Sequence, residues 1–211
     1  MTRGFALVAA LVVALMSATG AVAQESHNDL RTSPVKKITK LSLELVGQFQ
    51  NSPPGVTPAT HSHYGYISYI QGVSSFAHAP QDETTALFTF FADAATVRVI
   101  SNGPLRVITR VGKLTIYLDN STNGSFANPN TFRDGTPVLV AGFRQEVVSN
   151  TVTNSFTTFH QDTITSTTPF HTNRGMVQLG EVGETFKTYL SGQGNMPGPP
   201  SGFFGGYAVS G

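Results

Sequence analysis

The stretch that decides the fold is ETTALFTFFADAATVRVISNGPLRVITRVGKLTIYL, residues 83–118. Its first arm is apolar enough for a strand buried on both faces, and the Val, Ile and Thr that follow are typical of strands. The Asn102-Gly103 pair between the two arms favours a tight hairpin. In the second arm the apolar side chains move from odd to even positions at Gly112, which predicts a β-bulge there. Bent, strongly twisted strands of this kind favour a sheet that closes on itself.

The rest of the chain continues this pattern. Leu41, Leu43 and Leu45 alternate with polar residues, and similar runs recur up to the terminal GFFGGYAVS, residues 202–210. We count about eight to ten strands, and no segment after the N-terminal apolar run has a capped helical stripe. The sequence therefore predicts one antiparallel β-barrel over residues 38–211, with a two-sheet β-sandwich as the alternative. A long loop, residues 119–137, is either functional or packed on itself around Phe126 and Phe132.

The N-terminus has the features of a secretory signal peptide. Arg3 precedes an apolar run, and Ala21-Val22-Ala23 is a small-x-small cleavage site, so we expect a signal peptide at residues 1–23. Residues 24–37 are polar and are expected to form a flexible lead-in to the barrel domain. The protein is thus predicted to be secreted and extracellular, with cleavage near Ala23.

The composition excludes several classes of function. The chain has no cysteine, which removes thiolate catalysis and cysteine metal sites, and its 13 Lys and Arg nearly balance 12 Asp and Glu. Without a basic stripe, nucleic acid and anionic membranes are poor partners. No later stretch is long and apolar enough for a membrane-spanning helix. The sequence also contains neither a Gly-x-Ser-x-Gly elbow nor a phosphate-binding Gly-x-x-x-x-Gly-Lys loop.

Two histidines in the segment PATHSHYGYISYIQG, residues 58–72, are candidates for a metal site. His61 and His63 lie two apart on a predicted strand, so both side chains project from one face. Imidazole binds zinc, copper, iron and nickel, and a divalent metal is the one cofactor that the sequence offers. A third ligand would come from His78, from Glu83, or from the pair His160 and Asp162. The alternative is that these histidines are solvated or hydrogen-bonded at strand ends, and that the protein has no cofactor.

The interior of a small barrel is the other candidate site, since about eight strands can enclose one small ligand. The residues predicted to line such a cavity are aromatic, and they are Tyr66, Tyr69, Phe88, Phe90 and Phe143. The alternative is a solid core packed by the same side chains.

Three segments carry a resemblance to known proteins. Within residues 60–145 the chain resembles segments of a group of uncharacterised secreted bacterial proteins. The segments that carry the resemblance are, in order, ETTALFTFFADA, GKLTIYLDN and GSFANPNTFRDGTPV. The resemblance implies export from a bacterium and a β fold, and it implies no activity. The barrel of allene oxide cyclases and dirigent proteins is one architecture that such a chain would adopt.

These observations favour a non-enzymatic secreted β-barrel that binds a small apolar ligand or a surface partner. The alternative is a barrel enzyme. It would be either a cyclase or isomerase like allene oxide cyclase or dirigent proteins, or a metal-dependent enzyme that uses His61 and His63.

Overall fold

The computed structural model describes residues 34–195 and 200–211. Eight strands form a closed antiparallel barrel, so the predicted single barrel is confirmed and the sandwich is not. The predicted signal peptide and residues 24–33 of the lead-in lie outside the described residues. The barrel strands are β2 (Ser42–Asn51), β3 (Thr60–Ile70), β4 (Phe88–Asn102), β5 (Leu105–Leu118), β6 (Thr136–Asn150), β7 (Ser155–Thr167), β10 (Thr185–Gly194) and β11 (Gly202–Ser210).

Around the barrel the strands pair in the order β10, β11, β2, β3, β4, β5, β6, β7, and β7 pairs with β10 to close the ring. Six of these eight pairs join consecutive strands, as expected when hydrophobic alternation and short turns set the topology. The β4–β5 turn consists of Gly103 and Pro104, and Gly103 has a φ of +57°. The hairpin predicted from Asn102-Gly103 is therefore present, with glycine in the left-handed conformation that a tight turn requires.

A small second sheet closes one end of the barrel. It contains β1 (Lys36–Ile38), β8 (Phe170–Thr172) and β9 (Gly175–Leu179), with β1 parallel to β9. The last residues of the predicted lead-in are therefore part of a strand. Phe170 of this sheet packs against Phe88 of the barrel, with ring centroids 5.3 Å apart. We call this the cap end; the pocket end is the opposite one, where β2 ends and β3 begins.

Strand β5 runs without a bulge at Gly112, so the prediction of a bulge there is wrong. Gly112 pairs in regular register with Ala94 on one side and Phe143 on the other. Leu105, Val107 and Val111 are exposed on the outer face, whereas the even positions from 108 to 116 face inward along the whole strand. The odd-numbered apolar residues misled the assignment because they lie on the solvent side. The β4–β5 register shift lies instead between Thr96 and Arg98.

Strand β4 is buried on both faces from Phe88 to Ala92, as predicted. Its outer face is covered by the long loop, residues 119–137, which contains a short 3-10 helix, Pro129–Phe132. Phe132 is fully buried against Phe126 and the outward-facing Tyr64. The loop thus packs on itself and on the barrel wall, which is one of its two predicted roles.

The barrel interior is solid over most of its length. One continuous apolar cluster fills this interior and reaches the cap sheet. The exposed fraction is at most 1 % for several of its large side chains, which include Phe88, Phe90, Ile67, Ile116 and Phe186. Burial of this kind supplies the main stabilisation of a domain without disulfides. In the part of the chain that the structure describes, no helix is long and apolar enough to cross a membrane.

Candidate functional site: a polar pocket at one end of the barrel

The pocket end of the barrel contains a cavity of about 160 Å³. Its apolar walls are Phe49, Ile108, Val147 and Phe156. Its polar lining includes His61, His63 and Arg110, and exposed residues Asn51, Thr151 and Asn154 form the rim. The cavity therefore combines apolar surface with buried polar groups, the usual character of a small-molecule site.

Strand β3 delivers the two histidines to this cavity. Because strand side chains alternate, His61 and His63 both point inward, and they are only 4 % and 3 % exposed. Their Nε2 atoms lie 2.7 Å apart, and His61 Nδ1 lies 2.6 Å from Asn51 Oδ1. With Asn51 Oδ1 as acceptor, His61 Nδ1 carries a proton and donates it. His63 Nε2–H then donates to His61 Nε2, so the contact between the two rings is a hydrogen bond between neutral imidazoles.

The electrostatic surroundings keep both histidines neutral. Burial is the main reason that the pKa of His61 lies well below the usual 6.5, and repulsion of its charged form by His63, when that ring is protonated, and by Arg110 lowers it further. Burial likewise lowers the pKa of His63, assisted by His160 and Arg110. At neutral pH the pair is therefore a hydrogen-bonded couple of uncharged imidazoles.

This arrangement differs from a formed metal site. Two nitrogens bound to one tetrahedral zinc ion lie about 3.3 Å apart, whereas the two Nε2 atoms are in hydrogen-bond contact. The candidate third ligands His78 and Glu83 lie in the β3–β4 loop at the cap end. Within residues 34–195 and 200–211, no three His, Asp or Glu side chains are grouped so that they could hold a metal ion. Metal binding by His61 and His63 stays a prediction.

Beneath the histidine pair, a second polar layer crosses the barrel interior. Arg110 Nη1 donates to Gln145 Oε1 at 3.4 Å, and Gln145 Nε2 donates to His160 Nε2 at 2.9 Å. His160 Nδ1 lies 3.8 Å from Asp162 Oδ1, and Thr188 Oγ1 donates to Asp162 Oδ2 at 2.9 Å. The layer thus runs from the cationic Arg110 on β5 through Gln145 to His160 and Asp162 on β7.

The cationic end is at the pocket surface. Arg110 is 8 % exposed, and burial lowers its pKa from the ordinary arginine value to about 10. The guanidinium remains charged at neutral pH, so the pocket has a positive potential. His160, which the sequence offered as a third metal ligand, stacks on Phe143 with ring centroids 4.8 Å apart.

The aromatic residues predicted to line a cavity divide into two groups. Phe88, Phe90 and Phe143 point into the barrel but belong to its solid core. Tyr66 packs against Phe126 of the long loop outside the barrel wall, and Tyr69 is 45 % exposed, so the expectation that these two line the interior is wrong. A register shift in the β2–β3 pair, opposite Ser68, places Tyr69 on the outer face. A role of the five residues in ligand binding stays a prediction.

Sequence reasoning missed Arg110 and Gln145. The signal for Arg110 was available, because it shares its parity with Ile108, Leu114 and Ile116, which all face inward. The bulge wrongly placed at Gly112 assigned Arg110 to the solvent face. Gln145 is fully buried in a strand where Phe143 and Val147 have the same parity.

Comparison of the chain with known protein families, with curated proteins and with solved structures gave no match.

Proposed function

We propose that this protein is a secreted β-barrel that binds one small ligand in the cavity at its pocket end. The observation that carries the proposal is the coexistence of apolar walls and buried polar groups in a cavity above an otherwise solid core. Export is supported by the signal-peptide pattern of residues 1–23 and by the resemblance to secreted bacterial proteins.

The size of the cavity restricts the ligand. At about 160 Å³ it is smaller than the roughly 300 Å³ at which pockets for drug-sized molecules begin. A cavity of about 150 Å³ holds a molecule the size of benzene. The ligand is therefore a small molecule, or the small terminal group of a larger one that extends past the rim. The ligand is also only partly apolar, because His61, His63 and Arg110 contribute to the lining.

A pocket-filling variant tests the proposal. Ile108 lines the cavity, and its neighbour Val107 is exposed on the outer face of the same strand. We expect saturation-transfer NMR with a fragment library to detect binders of the wild-type protein. Those binders should be lost in Ile108→Trp and retained in Val107→Trp, with both variants folded by circular dichroism. Failure of every fragment to bind, or equal binding by the two variants, would refute the proposal.

The second candidate is a barrel enzyme, either a cyclase or an isomerase, and the histidine pair favours it. A neutral imidazole is a competent general base, and His63 Nε2–H is a proton donor in the same cavity. We expect at least one fragment that binds in the pocket to be converted slowly to a new species in NMR spectra. Conversion should fall by about 100-fold in His61→Gln and His63→Gln, since general acid–base groups contribute factors of this order. Unchanged spectra of all binders would remove this candidate.

The metal-dependent form of the enzyme has its own test. Elemental analysis of the purified protein should find about one equivalent of zinc, copper, iron or nickel if His61 and His63 hold a metal. The His61→Gln/His63→Gln double variant should then lose it. Less than about a tenth of an equivalent in the wild-type protein would end the metal hypothesis.

A further inference from the structure

Arg110 is a buried cation whose guanidinium has almost no protein partner. It is 8 % exposed, and its hydrogen bond to Gln145 Oε1 is long, at 3.4 Å. Among the described residues, Nε has no hydrogen-bond acceptor although it is inaccessible to solvent. In the described chain, close contacts between basic and acidic side chains join Lys37 to Glu181, Arg144 to Glu146 and His160 to Asp162, so no carboxylate is in contact with Arg110.

Burial of an unpaired charge is strongly unfavourable, and proteins normally pair such a group with an anion. The buried carboxylate of this polar layer is Asp162, but Gln145 and His160 separate it from the guanidinium. Asp162 also accepts a hydrogen bond from Thr188. The other titratable groups around the cavity, His61 and His63, are basic and cannot neutralise Arg110. The interior of the barrel therefore leaves one positive charge without a direct counter-ion.

The geometry of arginine selects the kind of anion. A guanidinium presents parallel N–H donors that match the two oxygens of a carboxylate. Arg110 uses Nη1 for Gln145, which leaves Nε–H for another acceptor. Because the bond to Gln145 is long, a turn of the guanidinium toward the cavity would break only a weak hydrogen bond. The rings of Phe49 and Phe156 supply apolar contact for the remainder of the ligand.

We propose that Arg110 binds the carboxylate of a small, partly apolar monocarboxylic acid. This inference rests on the proposed function, since it names the class of ligand for the same cavity. The acid group lies at Arg110, and the apolar part lies between the aromatic side chains toward the rim.

Matched pairs of acids and amides test the inference. Benzoate, phenylacetate and hexanoate are titrated by calorimetry at pH 7.5, each beside its neutral primary amide. We expect at least one acid to bind the wild-type protein about tenfold more tightly than its amide, since charge-assisted pairs are roughly twice as strong as neutral ones. In Arg110→Gln this preference should disappear. Arg106→Gln is the control, because Arg106 is an exposed residue of the same strand.

The variants and probes separate the outcomes. If Arg110→Gln does not fold, Arg110→Lys takes its place, and it should lose most of the preference because lysine lacks the planar fork. Equal binding of acids and amides overturns the carboxylate inference and leaves ligand binding intact. Tighter binding of phenylphosphonate than of benzoate overturns it as well, in favour of a phosphate-like group. Failure of all probes together with the fragment library refutes the proposed function itself.

Discussion

Acidification from pH 7.5 to pH 5.0 should lower the free energy of unfolding, because His61 and His63 resist protonation in the folded protein. Burial and neighbouring positive charges hold the pKa of each well below 6.5. In the unfolded chain both imidazoles regain a pKa of about 6.5. Below that pH the unfolded state binds more protons than the folded state, so stability is greatest above pH 6.5 and falls as the pH falls.

The size of the effect follows from the ordinary pKa of the unfolded histidines and from folded imidazoles that stay neutral down to pH 5.0. One histidine that stays neutral in the folded protein and titrates at about 6.5 when unfolded lowers stability by ~2 kcal/mol at pH 5.0. Two such residues give ~4 kcal/mol. This loss is a large part of the roughly 5–15 kcal/mol that stabilises a typical domain. Most carboxyl groups titrate below pH 5, so the histidines dominate this interval.

Urea denaturation followed by circular dichroism at half-unit pH intervals measures the loss. His63→Gln should reduce it to ~2 kcal/mol, and the His61→Gln/His63→Gln double variant should nearly abolish it. His171→Gln, at an exposed histidine of the cap sheet, should leave the wild-type profile unchanged. A wild-type loss below ~1 kcal/mol, or an unaltered profile in the double variant, would refute the assignment of a buried neutral pair.

Three further predictions concern stability. Arg110→Met should raise the free energy of unfolding by ~2 kcal/mol in urea titrations. The lowered pKa of Arg110 corresponds to a burial cost of ~3 kcal/mol that the variant removes, and loss of the hydrogen bond offsets ~1 kcal/mol of this gain. A decrease in the free energy of unfolding would show that the charge is paired. Gly112→Ala should lower the free energy of unfolding by ~1–3 kcal/mol, since a Cβ there would overlap the backbone carbonyl of Asp93 and lie 2.6 Å from the Phe143 ring. Gly142→Ala, with no atom closer than 4.0 Å, should change it by less than ~1 kcal/mol, and equal effects would contradict the close approach at position 112. Phe132→Ala should lower the free energy of unfolding by ~3–5 kcal/mol, because this side chain of the long loop is fully buried. Phe203 is exposed, so Phe203→Ala should lower it by less than ~1 kcal/mol. A small loss for Phe132→Ala would mean that the loop contributes little to the stability of the fold.

Alternation of apolar and polar residues was sufficient to predict the barrel. Leu41, Leu43 and Leu45 are all buried as the period-two pattern required, and the turn at Gly103 is where the sequence placed it. These features are local: neighbouring residues decide which face of a strand is apolar, and glycine decides where the chain reverses. Local information of this kind determines strands and hairpins, and consecutive hairpins bring a sheet to closure.

The candidate site was less accessible to sequence reasoning. Val107 and Val111 are apolar on the solvent face, so they imitated a core-facing strand and gave Arg110 the wrong orientation. The register shift opposite Ser68 reversed the expected side of Tyr69 without any sequence signal. His61 and His63 were correctly placed on one face, but their mutual hydrogen bond depends on Asn51 of the preceding strand. Contacts between strands and irregular register are long-range features that a single sequence does not specify.

The solid interior and the cap sheet make the cavity a blind recess in the part of the molecule that the structure describes. A ligand has to leave through the opening by which it enters, and two ligands cannot pass each other in the cavity. The group that enters first is called the head, and the part left at the opening is called the tail. The protein therefore selects ligands by the group that enters the cavity first, whereas substituents that extend past the exposed rim residues Asn51, Thr151 and Asn154 lie in solvent. Molecules with the same head and different tails should compete for one place. A bait tethered to a resin through its tail, with the head left free, should capture the protein.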